Sequence, residues 1–334
     1  LFNLVANARD ATAKGGHVTI ETAAVEVDEV NAHAMGDLAP GPYLLLAVTD
    51  DGVGMDTTSH DLGAVRLHAL EAGVGGAPLL LVHGFTGCKE DFAEEVDGLA
   101  ELGYHVVAPD LRGHGESDQP DDEASYGLRS FADDLFALTE RLGWASFDLL
   151  GHSMGGMIAQ VMVLEQPDRV DRLVLMDTHH GVVGDLDLDL VAIGIELART
   201  QGLEVIQQIL QMSDVENPAY ERACAARPGY REWSENKMLK CSAAMYAAML
   251  HEMSTIDDRL DALGSVRVPT LVQVGELDAA FVGASERMAA TIPGAQLVVH
   301  PDGAHCPQFE STESWRSSLH EFLGAASSRA TAVA

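Results

Sequence analysis

The sequence predicts an α/β protein whose central sheet is mostly parallel and is covered by helices on both faces. From about residue 61 onward, short apolar runs bounded by Gly or Pro alternate with amphipathic helical patterns, the order expected of parallel α/β units. The later apolar runs are almost continuously hydrophobic, as expected for strands that are buried on both faces. The 334 residues, 47% of them hydrophobic, suffice for a large core.

Seven strands follow from these apolar runs. They are predicted over residues 64–70, 78–84, 105–110, 147–151, 172–177, 269–275 and 295–300. Residues 128–143 show the helical pattern expected between two such strands. The interval from about 180 to 262 lacks strong strand signals, so we predict a mostly helical insertion there. Methionines recur in it at near-helical spacing, which indicates packing or an adaptable apolar pocket wall.

The first 58 residues follow a different pattern from the rest of the chain. They predict the end of a helix over residues 1–12, a strand over 17–27 and a second strand over 43–49. We therefore expect an N-terminal segment of residues 1–58, an α/β domain of residues 59–326 and a flexible tail of residues 327–334.

The charge balance excludes several classes of partner. The chain has 52 Asp and Glu against 20 Lys and Arg, a formal net charge of −32, which repels nucleic-acid phosphates and anionic membranes. Its four cysteines form no C-x-x-C pair and no metal-ligand spacing, which is typical of a reduced, cytoplasmic protein. No apolar run is long enough to span a bilayer, and no secretory signal is visible.

The pentapeptide GHSMG, Gly151–Gly155, fits the G-x-S-x-G pattern of a nucleophile elbow. It follows the predicted strand over 147–151 and precedes a helical pattern, which is the context that the elbow requires. The serine of such an elbow lies on a strained turn, and the N-terminus of the following helix stabilises developing negative charge. We therefore predict that Ser153 is a nucleophile.

A serine hydroxyl needs a general base to become strongly nucleophilic. His305 lies in the loop after the last predicted strand, and His300, at the end of that strand, is the alternative base. Asp278 follows the strand over 269–275 and would orient the base, with Glu276 as the nearby alternative.

The segment LVHGFTG, residues 81–87, includes the end of the strand predicted over 78–84. It fits a loop that stabilises an oxyanion. In this arrangement the backbone N–H groups of Phe85 and Met154 would face the developing negative charge. We interpret His83, within the same segment, as a brace that hydrogen-bonds the loop rather than as a catalytic residue.

Together these motifs resemble those of the α/β-hydrolase superfamily, in particular its small capped bacterial esterase/lipase and peroxidase-like branch. The matching segments are DLRGHGES at 110–117, GHSMGG at 151–156, GELD at 275–278 and GAHCPQFE at 303–310. The resemblance covers residues 62 to about 324, and the chain order Ser153, Asp278, His305 is the one expected for this superfamily. It implies a cap over the pocket, here about residues 180–262, and chemistry that needs no metal and no organic cofactor.

Several further side chains have more than one interpretation. His179 and His180 are adjacent without the carboxylate spacing of a metal site, so we predict that His179 lines the substrate pocket, together with Met245 and Met249. Asp177 ends a strand at which some relatives carry an alternative triad acid. Cys306 is an oxidisable neighbour of His305, but it would be redundant as a catalyst.

The predicted function is therefore a serine carboxylic-ester hydrolase that cleaves short- to medium-chain acyl esters, or lactones, through an acyl-enzyme. C–C bond hydrolysis and cofactor-free perhydrolysis use the same triad and are the alternatives, and a non-catalytic small-molecule binder is a third reading. A serine nucleophile, rather than an aspartate, argues against epoxide hydrolase and dehalogenase chemistry. We expect a monomer or homodimer whose partner is a small-molecule ester or lactone.

The N-terminal segment carries a second resemblance, to the ATPase domain of histidine-kinase-type (GHKL) proteins. The residues that match its two boxes are Asn3, Asn7, Asp10, Asp50, Gly52 and Gly54. The resemblance implies that Asn7 would hold Mg²⁺ and that Asp50 would bind the adenine amino group. No second glycine-rich box follows Met55 to close over the phosphates. We therefore expect residues 1–58 to be a truncated remnant that does not bind ATP.

Overall fold

The computed structural model describes residues 18–27, 41–50, 56–184, 187–212 and 217–324. The chain divides into two compact units, Leu1–Gly54 and Met55–Ala334. The predicted helix end over residues 1–12 and the predicted tail over 327–334 lie outside the described residues.

The first unit contains an antiparallel pair of strands. Strand β1, Val18–Val27, pairs with strand β2, Gly41–Asp50, so that Val18 lies opposite Asp50 and Val27 lies opposite Gly41. These strands match the two that the apolar patterns predict over residues 17–27 and 43–49.

The second unit is built on an eight-stranded sheet with the order β10-β9-β8-β7-β5-β6-β4-β3. Strand β4 pairs antiparallel with β3 and with β6, and the remaining pairs are parallel. The strands are β3 Asp56–Asp61, β4 Arg66–Ala72, β5 Ala77–Val82, β6 Tyr104–Pro109, β7 Phe147–His152, β8 Val170–Met176, β9 Thr270–Gly275 and β10 Gln296–His300.

All seven predicted strands of this sheet are present, within two residues at their N-terminal ends. Strand β3 is additional, because its sequence DTTSHD contains no apolar residue that would predict a strand. Its backbone pairs along its whole length with β4, from Asp56 opposite Glu71 to Asp61 opposite Arg66. The predicted boundary at residue 58 falls within this strand.

Helices cover both faces of the sheet. The helices of the α/β layers are α1 Ala93–Glu101, α2 Leu128–Arg141, α3 Met154–Glu165, α10 Ala279–Thr291, α11 Pro307–Glu310 and α12 Thr312–Gly324. Successive strand residues point to opposite faces, so Leu79 and Leu150 lie in one buried apolar cluster while Leu80 and Leu149 lie in the other. Because both clusters are buried, the central strands have no polar face, in agreement with their continuous apolar runs.

The insertion between β8 and β9 is helical, as the sequence predicts. Its helices are α4 Leu188–Gln201, α5 Leu203–Gln211, α6 Pro218–Ala226, α7 Tyr230–Asn236, α8 Ala243–Thr255 and α9 Leu260–Leu263. Lys237 and Asp91 join this insertion to the α/β layers through a buried ion pair with an N–O distance of 2.7 Å. Among the described helices, none combines the length and the apolar content needed to cross a bilayer.

Candidate active site

The predicted elbow is a sharp turn between β7 and α3. Ser153 has a φ angle of +54°, a left-handed backbone conformation that costs energy for a residue with a side chain. A Cβ atom at Gly151 would overlap the backbone oxygen of Gly155, and one at Gly155 would overlap the backbone oxygen of Val82. The two glycines therefore allow the turn to pack against its neighbours, and the turn leaves Ser153 at the N-terminus of α3.

Ser153, His305 and Asp278 form a continuous line of hydrogen bonds. His305 Nδ1–H donates to Asp278 Oδ2 at 2.7 Å, since a carboxylate can only accept. In this tautomer His305 Nε2 is an acceptor, and it lies 3.0 Å from Ser153 Oγ. The hydroxyl, the imidazole and the carboxylate thus have the positions that removal of a proton from Ser153 requires.

The two alternative residues lie elsewhere. Glu276 Oε2 accepts a hydrogen bond from the backbone N–H of Asp302 at 3.1 Å, on the surface of the protein. His300 is fully buried and its Nδ1 contacts Ser314 Oγ at 3.0 Å. Burial lowers the pKa of His300 to about 4, so this imidazole is neutral at physiological pH. The structure brings neither residue to Ser153.

The loop after β5 lies directly against the elbow. A Cβ atom at Gly84 would approach Ser153 Cβ to 3.1 Å, so only glycine leaves this close approach free of strain. Within the described part of the chain, neither the Phe85 N–H nor the Met154 N–H has a hydrogen-bond acceptor. The backbone N–H of the residue after Gly84 and that of the residue after Ser153 are therefore free to bind an oxygen atom of a ligand.

Two buried histidines hold this loop in place. His83 Nδ1–H donates to Gly84 O at 2.8 Å and His83 Nε2 accepts from Leu111 N–H at 3.1 Å, in agreement with its interpretation as a brace. Burial lowers the pKa of His83 to about 3, which keeps this imidazole neutral. His114 Nε2–H donates to Phe85 O at 2.6 Å. His114 was not predicted as a site residue, although it lies within the matching segment at 110–117.

The loop that carries His305 is held from two sides by residues that the sequence did not single out. Glu310 Oε2 accepts from the backbone N–H groups of Ala304 at 2.8 Å and of Cys306 at 3.1 Å, the two neighbours of His305. His152 Nε2–H donates to the carbonyl of His305 at 2.7 Å. Both His152 and Glu310 belong to the matching motifs, so their place in those motifs was the available signal.

Asp177 lies beside Asp278 and His305. One ligand-capable atom of each of these three residues lies within 4.8 Å of the other two, the spacing of a potential cation site. His305 Nδ1 and Asp278 Oδ2 are already engaged with each other, however. Asp177 is completely buried, has a φ angle of +43°, and accepts a hydrogen bond from the Gly275 N–H on Oδ1 at 2.9 Å.

The three residues predicted to line a pocket are buried. Met245 and Met249 are fully buried in the same apolar cluster as Met154, the residue that follows Ser153. His179 Nδ1 contacts the backbone of Gly181 at 3.0 Å, and its ring lies 4.5 Å from that of His180. Packing thus accounts for the positions of both methionines, and a role of these residues in binding substrate stays a prediction.

Hydrogen bonding and burial limit the reactivity of His180 and Cys306. His180 Nδ1–H donates to Asp258 Oδ1 at 2.8 Å and its Nε2 accepts from Arg287 Nε at 3.0 Å, so this imidazole is fully engaged. Desolvation raises the pKa of the Cys306 thiol, which therefore carries its proton at neutral pH and is a weak nucleophile.

Comparison with known proteins agrees with this architecture. Residues 77–202 match the family described as the alpha/beta hydrolase fold. The chain is 34% identical over 125 residues to Epoxide hydrolase 2 of Siraitia grosvenorii, which covers 37% of this chain and 39% of that protein. It is 28% identical to Protein ABHD8 of Homo sapiens over 263 residues. This aligned region covers 77% of this chain and 57% of that protein. The chain thus spans less than two thirds of the length of these relatives.

A solved structure resembles the chain over a larger share of its length. The thermophilic esterase from Thermogutta terrifontis is 30% identical and superimposes with a TM-score of 0.68, covering 80% of this chain and 96% of that one. The sheet topology of this chain and its elbow between β7 and α3 are also those of the α/β-hydrolase fold. The chain therefore belongs to the α/β-hydrolase superfamily.

Proposed function

We propose that this protein is a serine carboxylic-ester hydrolase that cleaves short- to medium-chain acyl esters through an acyl-enzyme intermediate. The observation that carries the proposal is the line of hydrogen bonds from Ser153 Oγ through His305 to Asp278, with distances of 3.0 and 2.7 Å. The 30% identity to an esterase supports ester substrates. No metal or organic cofactor takes part in the proposed reaction.

The reaction begins when Ser153 Oγ attacks the ester carbonyl and its proton passes to His305 Nε2. The carbonyl oxygen becomes an oxyanion, which the backbone N–H groups of Phe85 and Met154 would stabilise. His305 then gives its proton to the leaving alcohol, and an acyl group remains on Ser153. Water attacks this acyl-enzyme with His305 as the base, which releases the carboxylic acid and restores the serine.

The residue type at the elbow separates this chemistry from that of the epoxide hydrolase relative. An epoxide or a haloalkane is opened by a carboxylate nucleophile, whose ester with the substrate is then hydrolysed. Ser153 cannot form such an intermediate, because an ether of serine would not be hydrolysed at the triad. Lactones contain the same ester bond as the proposed substrates and would react by the same steps.

A panel of p-nitrophenyl esters and lactones tests the proposal. The purified protein is expected to hydrolyse p-nitrophenyl acetate, butyrate and octanoate with a higher kcat/KM than the palmitate, and the lactones are measured by acid release. The matched control is Ser153→Ala, which removes only the hydroxyl. A folded protein that does not exceed this control on any ester or lactone would contradict the proposal.

We further propose that the N-terminal segment, residues 1–58, takes no part in hydrolysis. Of the residues that resemble the ATPase boxes, Asp50 ends β2, and the others lie outside the described residues. All triad and oxyanion residues proposed above belong to the unit Met55–Ala334.

A protein that starts at Met55 is therefore expected to keep the full-length turnover per folded molecule. ATP with Mg²⁺ is expected to leave the Tm of the full chain unchanged, whereas a ligand at 100 times its Kd would add about 2.7 kcal/mol of stability. Thermal unfolding of both proteins, with and without ATP, gives the measurement. An ATP-dependent rise in Tm, or a folded truncated protein without turnover, would show that the segment is functional.

A further inference from the structure

The Asp177 carboxyl group has one oxygen that lacks a partner. Asp177 follows β8 and is completely buried, and its Oδ1 accepts from the Gly275 N–H at 2.9 Å. Its Oδ2 is also buried and, among the described residues, finds no hydrogen-bond donor. A buried carboxylate oxygen without a donor is costly, because nothing replaces the water that it loses. A proton on Oδ2 would remove this cost, because Asp177 could then donate to a neighbouring acceptor.

The Asp278 carboxyl group offers such an acceptor. The carboxyl groups of Asp177 and Asp278 lie next to each other, within 4.8 Å and within reach of His305. The other groups that face Asp177 are the carboxyl of Glu310 and the thiol of Cys306, so its surroundings are mostly acidic. Burial and the charge of Asp278 both raise the pKa of Asp177 well above its usual range. Two carboxylates this close in a dry site do not both ionise readily.

The choice of which carboxyl keeps the charge follows from the partners. Asp278 accepts from His305 Nδ1–H, and a charged acceptor makes that hydrogen bond stronger. Asp177 accepts only from a neutral backbone N–H on its one engaged oxygen. The negative charge is therefore more stable on Asp278 and the proton is more stable on Asp177.

We propose that Asp177 remains protonated at neutral pH and that its Oδ2–H donates a hydrogen bond to the Asp278 carboxylate, which makes Asp177 a positioning residue for the triad acid. This inference rests on the proposed function of Ser153, His305 and Asp278. A neutral Asp177 fixes the orientation of Asp278 without adding a second negative charge near His305. A second charge would stabilise the imidazolium form, and His305 would then hold a proton when it must act as a base.

Two substitutions at this position separate the donor from the charge. Asp177→Asn keeps the size and an N–H donor, so kcat for p-nitrophenyl butyrate is expected to stay within about threefold of wild type. Asp177→Ala removes the donor, and kcat is expected to fall about 10- to 100-fold with little change in KM. Glu276→Gln is the control, since it removes an exposed carboxylate from the loop that carries Asp278, and its effect on kcat is expected to be mild.

The pH dependence of kcat/KM distinguishes a neutral from an ionised Asp177. The acidic limb reports the protonation of the free triad, and Asp177→Asn is expected to leave its apparent pKa unchanged, because one neutral group replaces another. If Asp177 were ionised in the wild type, the same substitution would remove a buried negative charge and lower that pKa by about one unit or more. Such a shift, or equal turnover of the Asn and Ala variants, would overturn the inference.

Infrared spectroscopy detects the protonation state of Asp177 without any assay of activity. The wild-type protein at neutral pH is expected to show a carboxylic-acid carbonyl band that is missing from the Asp177→Asn spectrum and present in that of Glu276→Gln. A Ser153→Ala background gives the same comparison in an inactive protein, so a failure of the proposed function cannot hide the result. Identical bands in the wild type and in Asp177→Asn would show that Asp177 is ionised and contradict the inference.

Discussion

Replacing Ser153 with alanine is expected to reduce the kcat for p-nitrophenyl acetate by about three orders of magnitude or more. The variant removes the atom that would form the acyl-enzyme, while the backbone N–H groups and the binding contacts stay in place. Steady-state kinetics on the purified variant, with circular dichroism to confirm its fold, provide the measurement.

The structure indicates that this variant will fold. The Ser153 hydroxyl contacts His305 at 3.0 Å, whereas the turn itself is held by backbone atoms, including Ser153 N–H to Met176 O at 2.9 Å. Ser146→Ala serves as a matched control, because Ser146 is a partly exposed serine away from the triad that donates to Asp171 Oδ2 at 2.7 Å. Retention of most of the turnover in Ser153→Ala would mean that another group is the nucleophile.

Replacing Asp278 with asparagine is expected to lower kcat by about 10⁴-fold while the fold is preserved. In the wild-type protein the His305 Nδ1–H donates to the Asp278 carboxylate at 2.7 Å. This contact fixes the tautomer in which the unprotonated Nε2 faces Ser153. An asparagine amide can present its N–H₂ group to Nδ1, which moves the imidazole proton to Nε2 and prevents this atom from accepting the serine proton.

Glu276→Gln is the comparison for this prediction, and it is expected to have a mild effect. Glu276 lies two residues away and accepts a backbone N–H from Asp302 at 3.1 Å, a bond that glutamine can also accept. The reverse ranking of the two variants would assign the triad acid to Glu276. A loss of only about tenfold in Asp278→Asn would show that Asp177 supplies the carboxylate instead.

Local pattern was enough to predict the central strands and the turn that carries Ser153. The sheet is buried on both faces, so its strands appear as apolar runs, and the elbow needs small residues at Gly151 and Gly155 because backbone atoms lie where a Cβ would be. His305 and Asp278 could be predicted because the loops after β9 and β10 meet β7 at one edge of the parallel sheet.

Contacts between distant segments could not be predicted in this way. Strand β3 is polar and is stabilised by its backbone pairing with β4, which leaves no trace in the pattern of its own side chains. Glu310 supports the His305 loop because a turn brings its side chain back to the backbone N–H groups of Cys306 and Ala304, four and six residues earlier in the chain. The protonation of Asp177 depends on its burial beside Asp278. These residues follow β8 and β9, and neither sequence segment alone shows that the two carboxyl groups meet.

Covalent labelling tests the central claim, that Ser153 is the nucleophile, most directly. Diethyl p-nitrophenyl phosphate transfers its diethylphosphoryl group to an activated serine, with formation of an O–P bond and release of p-nitrophenolate. Intact-mass measurement is expected to show one adduct per wild-type chain, peptide mapping is expected to place it on Ser153, and turnover is expected to fall in proportion to labelling. Ser153→Ala is expected to remain unlabelled under the same conditions. Stoichiometric labelling of Ser153→Ala, or an adduct on a different residue of an inactivated wild-type protein, would contradict the account.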